Sequence, residues 1–276
     1  MSWVHGIENG LGYRVFHAGI IAHLVIITIL RTVHVIIDMH NHIGVSRDSA
    51  KCEADELLQL MDHNEIAKSV IFALDEEDKG ISYEKQNARI LDIAQTYPER
   101  FIPFCRIQPK AGNKGVDEFV KCMKLGSKGL KLHPHSESFF IEDCIDLFRV
   151  ASEYQCPVII HTEHHATRKP RYWQGVFEKY KTNTFILSHG GQDFFRDTAD
   201  MVRDLPNVYL DTSAQSYHRT RILIQKAGVH KILFASDYPY SHPQIEKTKF
   251  EVLRLSQEDQ NKIFYENALK VLKIEK

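Results

Sequence analysis

From Val33 onward the chain alternates short runs rich in β-branched residues with longer stretches whose apolar positions recur every three or four residues. The runs at 33–38 (VHVIID), 68–73 (KSVIFA), 101–107 (FIPFCRI), 127–133 (SKGLKLH), 157–161 (PVIIH), 184–188 (TFILS), 207–211 (NVYLD) and 231–236 (KILFAS) predict strands. The pattern between them predicts helices at 53–64, 84–97, 114–124, 142–154, 192–203 and 218–227. This alternation means parallel strands joined by crossover helices. Eight units over about 240 residues match a (β/α)8 barrel, which typically needs about 250. The expected fold is therefore α/β: a single-domain TIM barrel over 33–276, preceded by a short N-terminal extension, 1–32. An open doubly wound sheet competes, but no GxGxxG turn follows the first strand.

Local chemistry marks several boundaries. Pro98 stops a helix before the third strand, because it has no N–H to continue the ladder. Pro157 enters the fifth strand at its first position, where no donor is lost. Ser256 and Asp259 are spaced as a helix-opening capping box. Beyond them Ile263, Phe264, Ala268, Val271 and Leu272 recur with helical period and should dock on the barrel. In the extension, Ala18 to Leu30 is apolar apart from His23 and Thr28. It is shorter than the roughly 20 residues that span a bilayer. An element packed against the main domain is the preferred reading there, with a membrane anchor, an uncleaved signal or an upstream segment outside the working protein as alternatives.

Composition narrows the class. Of 276 residues, 43% are apolar and 26% charged, as in an ordinary globular protein. Thirty-five basic against 36 acidic residues leave no electrostatic footprint for nucleic acid or an anionic membrane. Five cysteines without CxxC spacing predict reduced thiols in a cytoplasmic protein, with neither a disulfide framework nor a zinc ribbon. A small-molecule substrate is the expected partner, and a homodimer stays open.

In such a barrel, chemistry sits where strands run into loops on the C-terminal face. The first strand closes on His40-Asn41-His42, two imidazoles two residues apart and so on one face. Spacing alone decides little, since His133-Pro134-His135 repeats it. Other strand ends add Lys131 and His133, His161, His189 and Asp237. Imidazole nitrogens with one carboxylate oxygen suit a divalent ion, Zn²⁺ first, with Mn²⁺ or Fe²⁺ as alternatives.

Five ordered motifs then carry a resemblance: Asp38-Met39-His40-Asn41-His42, Lys128-Gly129-Leu130-Lys131-Leu132-His133-Pro134, Pro157-Val158-Ile159-Ile160-His161-Thr162, Leu187-Ser188-His189-Gly190-Gly191 and Phe234-Ala235-Ser236-Asp237-Tyr238-Pro239. Over about residues 33–272 the chain resembles the amidohydrolase superfamily, in the amidohydrolase-2 branch that includes aminocarboxymuconate-semialdehyde decarboxylase. The resemblance implies that His40, His42, His161 and Asp237 are metal ligands and that His189 orients or deprotonates water. Asp237 could share the proton work. Asp38 is given a supporting role behind the pair. Lys131 is either a substrate contact, together with His133, or the carboxylated lysine of binuclear relatives. Glu163-His164-His165 departs from the glycine that usually follows His-Thr in this branch. Arg168, Arg171 and Trp173, in the loop beyond, could hold a carboxylate or stack on a ring. The implied activity is metal-dependent hydrolysis of an amide, ester or lactone. A non-oxidative decarboxylase on the same site is the runner-up, and a non-catalytic ligand-binding barrel is the third reading. A guanidinium reaching the pocket would favour the decarboxylase.

Overall fold

A computed structural model describes residues 35–164 and 169–274. The N-terminal extension and Arg168 lie outside the described residues. Among the described residues, nine strands form one sheet: β1 (Ile36–Val45), β2 (Lys51–Cys52), β3 (Ile66–Ala73), β4 (Phe101–Arg106), β5 (Gly129–Leu132), β6 (Val158–Ile160), β7 (Phe185–Leu187), β8 (Val208–Asp211) and β9 (Ile232–Leu233). All eight expected strands are present. The addition, β2, is a two-residue antiparallel partner to the end of β1. The other neighbours pair in parallel, in the order β1-β3-β4-β5-β6-β7-β8-β9. Closure comes from the segment after β9. Met39 N–H donates to Phe234 O at 3.0 Å, Asp237 N–H to His40 O at 2.8 Å and His42 N–H to Tyr238 O at 2.9 Å. The sheet is thus a closed TIM barrel.

Around it lie α1 (Ala54–His63), α2 (Glu84–Thr96), α3 (Asn113–Lys124), α4 (Ile145–Tyr154), α5 (Gln174–Lys179), α6 (Phe195–Asp204), α7 (Tyr217–Ala227) and α8 (Pro243–Leu253). The chain ends in α9 (Gln257–Asn261), a π-helical turn (Lys262–Glu266) and α10 (Asn267–Leu272). Helices α5 and α8 carry no clear sequence signal. The first is six residues long, and the second is studded with charge. Pro243 and the His242 side chain, which accepts from Gln244 N–H at 3.2 Å, start α8. The Ser256 cap holds as expected, its Oγ accepting from Asp259 N–H at 3.2 Å.

Alternation along the strands makes two cores. Ile37, Met39, Val70, Phe72, Ile102 and Phe104 belong to the barrel interior, together with single residues of the later strands. Ala268, Leu269 and Val271 of α10 pack into the same cluster, so the C-terminal helix plugs the barrel floor. The opposite faces pack under the helices, through Ile71, Leu130, Val158, Phe185 and Leu210 among others. All five cysteines are free and buried. Among the described residues, no helix is long and apolar enough to cross a membrane.

Candidate metal centre and active site

The first strand must change phase to aim its histidines. Ile37 and Met39 face the interior, so a regular strand would turn Asp38, His40 and His42 the other way. Between Asp38 and Asn41 the register against β3 slips: Asp38 pairs with Ser69, and Asn41 with Ile71. One extra residue on β1 restores the inward direction at His40 and His42. Asp38 stays at the seam, where its Oδ1 accepts from the backbone N–H of Ser236 at 2.9 Å and of His40 at 3.2 Å. Burial pushes its carboxyl up to about 7. Its role is to hold the closing segment, as expected of a supporting group.

His40 is the hub. Its Nδ1 lies 2.9 Å from Asp211 Oδ2, so the carboxylate accepts and Nε2 is left as a lone pair. That Nε2 is 3.1 Å from Asp237 Oδ1 and 3.1 Å from Lys131 Nζ. His42 Nε2 lies 3.2 Å from the same Asp237 oxygen. Burial, with Lys131 beside it, lowers the His40 pKa to about 4, and burial holds His42, His133 and His161 well below the usual imidazole range. Burial thus keeps these four imidazoles in their neutral form. Lys131 is fully buried, which brings its pKa down to about 7.

His189 enters through an unusual loop. His189, Gly190, Gly191 and Gln192 all have positive φ, between 51° and 86°. A Cβ on Gly190 would stand 2.3 Å from Leu223 Cδ1, and one on Gly191 would stand 2.2 Å from Thr198 Oγ1. Only glycine fits there. Asp211 Oδ1 accepts from His189 N–H at 3.0 Å, while His189 Nδ1 lies 3.2 Å from Ser213 O. His189 Nε2 is then free to face His161 Nδ1, 3.2 Å away. His133 stacks on His161 with centroids 3.8 Å apart. Among the described residues, His40, His189 and Asp237 form a group that could hold a metal ion, with one donor atom from each within 4.8 Å of the others. His161 stands one contact behind it.

A cavity of about 770 Å³ opens above this cluster, lined by His42, His133, His161, His189 and Asp237 among others. Lys131 and His40 are not among its lining residues; Lys131 Nζ instead lies 3.1 Å from His40 Nε2, which sets it against His40 and not on the cavity wall. Trp173 is likewise away from this wall: it is buried and packs edge-on against Phe139 and Phe148. Arg171 is exposed and engaged with Asp197 at 2.7 Å. Among the described residues, the guanidinium groups that line the cavity are those of Arg47 and Arg106. Arg106 and Asp211 are the two residues that strand-end reading missed. Each was visible as the last polar residue of its strand, in phase with Phe104 and Tyr209, which face inward.

The donor set fits a divalent metal ion. The His40 Nε2 lone pair and the His42 ring both face one carboxylate oxygen, an arrangement of acceptors that a cation would satisfy. Ligand atoms about 2.0–2.2 Å from a tetrahedral ion lie roughly 3.3 Å apart, close to the spacings at Asp237. The family model for amidohydrolases matches residues 37–274. The chain belongs to the amidohydrolase family. It is thereby an enzyme of that family, on the family's TIM-barrel fold. Solved structures agree in fold. A Staphylococcus aureus protein described as an amidohydrolase superposes with a TM-score of 0.68 at 19% identity, covering 87% of this chain and 99% of that one. The 5-carboxyvanillate decarboxylase of Sphingomonas paucimobilis gives 0.70 at 13%, covering 88% and 100%. A dihydroxybenzoic acid decarboxylase from Polaromonas sp., solved with bound manganese and the inhibitor 2-nitroresorcinol, gives 0.65 at 16%, covering 87% and 97%. No curated protein matches significantly.

Proposed function

We propose that this amidohydrolase is a metal-dependent hydrolase of a small molecule, acting at an amide, ester or lactone carbonyl, with zinc as its ion. Asp237 is the observation that supports this most. Its carboxylate sits within 3.2 Å of both His40 Nε2 and His42 Nε2 and also lines the cavity. One residue would therefore hold the ion on one side and meet a substrate on the other. His40, His42, His161 and Asp237 would hold the ion. When bound, it would supply Lewis-acid polarisation of an acyl oxygen and acidify water. His189 is the proton carrier in this reading: Ser213 fixes the proton on Nδ1, which leaves Nε2 as base. The experiment is metal analysis of the purified protein, then turnover of lactones, esters and amides in ¹⁸O-labelled water. Label in the product carboxylate is expected. A metal-loaded protein that releases CO₂ from aromatic carboxylates without incorporating label would replace this reading.

That second reading, a carboxy-lyase, rests on the guanidinium of Arg106 at the cavity wall. The decarboxylases among the solved structures are compatible with it. Both reactions use the same ligands, since the fold does not fix the chemistry.

A further inference from the structure

Helix α8 follows the Asp237 turn, and its charge is not all at the surface. Glu246, Lys249 and Phe250 recur at helical spacing and face inward. Glu246 is 1% exposed and Lys249 8%, and the two form an ion pair one turn apart. Burying two charges is costly, and apolar side chains of similar volume in their place are often neutral or stabilising. Phe250 shows that this face accepts an apolar residue, since it packs in the core. Stability therefore gives little reason for a charged pair here. Its hydrogen bonds give a better one.

Those bonds lead to two loops of the candidate site. Lys249 Nζ donates to Thr212 O at 3.1 Å and to Gln215 O at 2.8 Å. Between these carbonyls, Glu246 Oε1 accepts from Ala214 N–H at 3.1 Å. Ala214 has a φ of 56°, a left-handed conformation that costs energy in any residue with a Cβ and persists only when its surroundings impose it. The pair thus clamps the backbone of 212–215 at three points across a strained residue. The same Glu246 oxygen accepts from Ser241 Oγ at 2.9 Å, and Ser241 N–H donates to Asp237 O at 3.1 Å.

What the clamped segment holds is His189. Ser213 Oγ donates to Asp211 Oδ1 at 2.6 Å, so toward His189 Nδ1, 3.0 Å away, it can only accept. Ser213 O is a second acceptor, 3.2 Å from the same nitrogen. Gln215 Nε2 donates to His189 O at 2.7 Å and fixes the backbone. Ring and main chain of His189 are both held by residues that the ion pair pins in place.

We propose that Glu246 and Lys249 are positioning residues, acting through Ala214 and Ser213 to hold His189 in a single tautomer. The inference rests on the reading of His189 as the proton carrier. Neither side chain belongs to the cavity lining, so the pair works at one remove from any substrate. Without it the turn at Ala214 relaxes, the acceptors leave Nδ1, and the ring proton is shared between both nitrogens.

The test is long-range ¹H–¹⁵N correlation NMR of the zinc-loaded, ¹⁵N-histidine-labelled protein, where protonated and unprotonated ring nitrogens resonate far apart. The His189→Asn spectrum identifies the His189 signals by their loss. Wild type should show the Nδ1–H form alone. Glu246→Leu/Lys249→Met removes both charges together, so neither is left buried by itself, and should show both tautomers. Glu246→Gln/Lys249→Met keeps an acceptor for Ala214 N–H and should fall between. A pair that only stabilised the fold would change Tm and leave the tautomer alone. The wild-type tautomer in both variants, or equal disturbance in both, therefore overturns the proposal. Should the Leu/Met variant not fold, a wild-type spectrum from Gln/Met overturns it by itself. A wild type with its proton on Nε2 counts against the proton-carrier reading, whereas the expected wild type with unchanged variants counts against the brace alone.

Discussion

His161 and His189 touch each other at 3.2 Å, yet their surroundings suit them to different work. His189 is fixed from behind by Ser213 and through its own N–H by Asp211. His161 has a histidine on either side. On the proposed assignment His161 is a ligand and would contribute binding energy that its neighbours cannot replace. His161→Ala should therefore empty the site. His189→Asn should keep metal and lose about 10²–10⁴-fold in turnover, the usual value of a general base. Metal stoichiometry of the two variants separates them, and equal emptiness would make His189 a ligand. Asp211 carries a second expectation. Burial alone would raise its carboxyl, but the adjoining His40 ring and the hydrogen bonds of His40 and Ser213 outweigh this and hold it far below the carboxylate range. Asp211 binds His40 Nδ1 and the His189 backbone at once. Asp211→Asn should weaken metal binding by roughly 10–100-fold, the usual cost of losing a carboxylate behind a ligand histidine. Chelator competition measures it, and an unchanged affinity would leave Asp211 no part in aiming His40. The sequence showed both histidines. It showed Asp211 only to a reader who follows every strand to its end.

At the level of elements, the loop 188–194 is where helical pattern misled. The expected helix from 192 begins only at Phe195, because the four left-handed residues before it aim His189 and cannot be helical. Gly190→Ala should cost about 1–3 kcal/mol, since it combines a positive φ with a clash on Leu223. Gly175 is the control. It lies in α5, where a Cβ would meet nothing within 4 Å, so Gly175→Ala should stabilise by up to about 1 kcal/mol. Urea unfolding of the two variants gives the comparison. Equal midpoints would show that the His189 loop repacks freely. The bulge in β1 is the other local surprise. No residue between Asp38 and Asn41 announces it, because it answers to the β3 register and to the seam with Phe234 and Tyr238.

For the molecule as a whole, metal and stability should be linked. Ion bound to the folded state at about a thousand times Kd stabilises by about 4 kcal/mol. Chelation should therefore lower Tm by several degrees, and added zinc or manganese should restore it. A Tm indifferent to chelator would mean that the ligand cluster does not hold the ion tightly. The amidohydrolase match begins at residue 37 and the described barrel at Val35. A chain starting at Thr32 is accordingly expected to fold and keep its metal. Loss of soluble protein on that truncation would place part of the extension in the core.

Periodicity in the sequence determined the eight strands, the barrel, the docked C-terminal helix and the ring of strand-end histidines, because each follows from local pattern and fixed connection rules. The chemistry of neutral imidazoles around a carboxylate was legible from the same positions. Tertiary structure alone decided which polar side chains meet. It set Lys131 against His40 instead of on the wall, put Trp173 in the core, turned Arg171 to solvent and brought Arg106 to the cavity. Strand order and register place residues far apart in the chain within a hydrogen bond of one another, and no local pattern encodes that distance. A single inserted residue in β1 then chose which face the histidine pair would see.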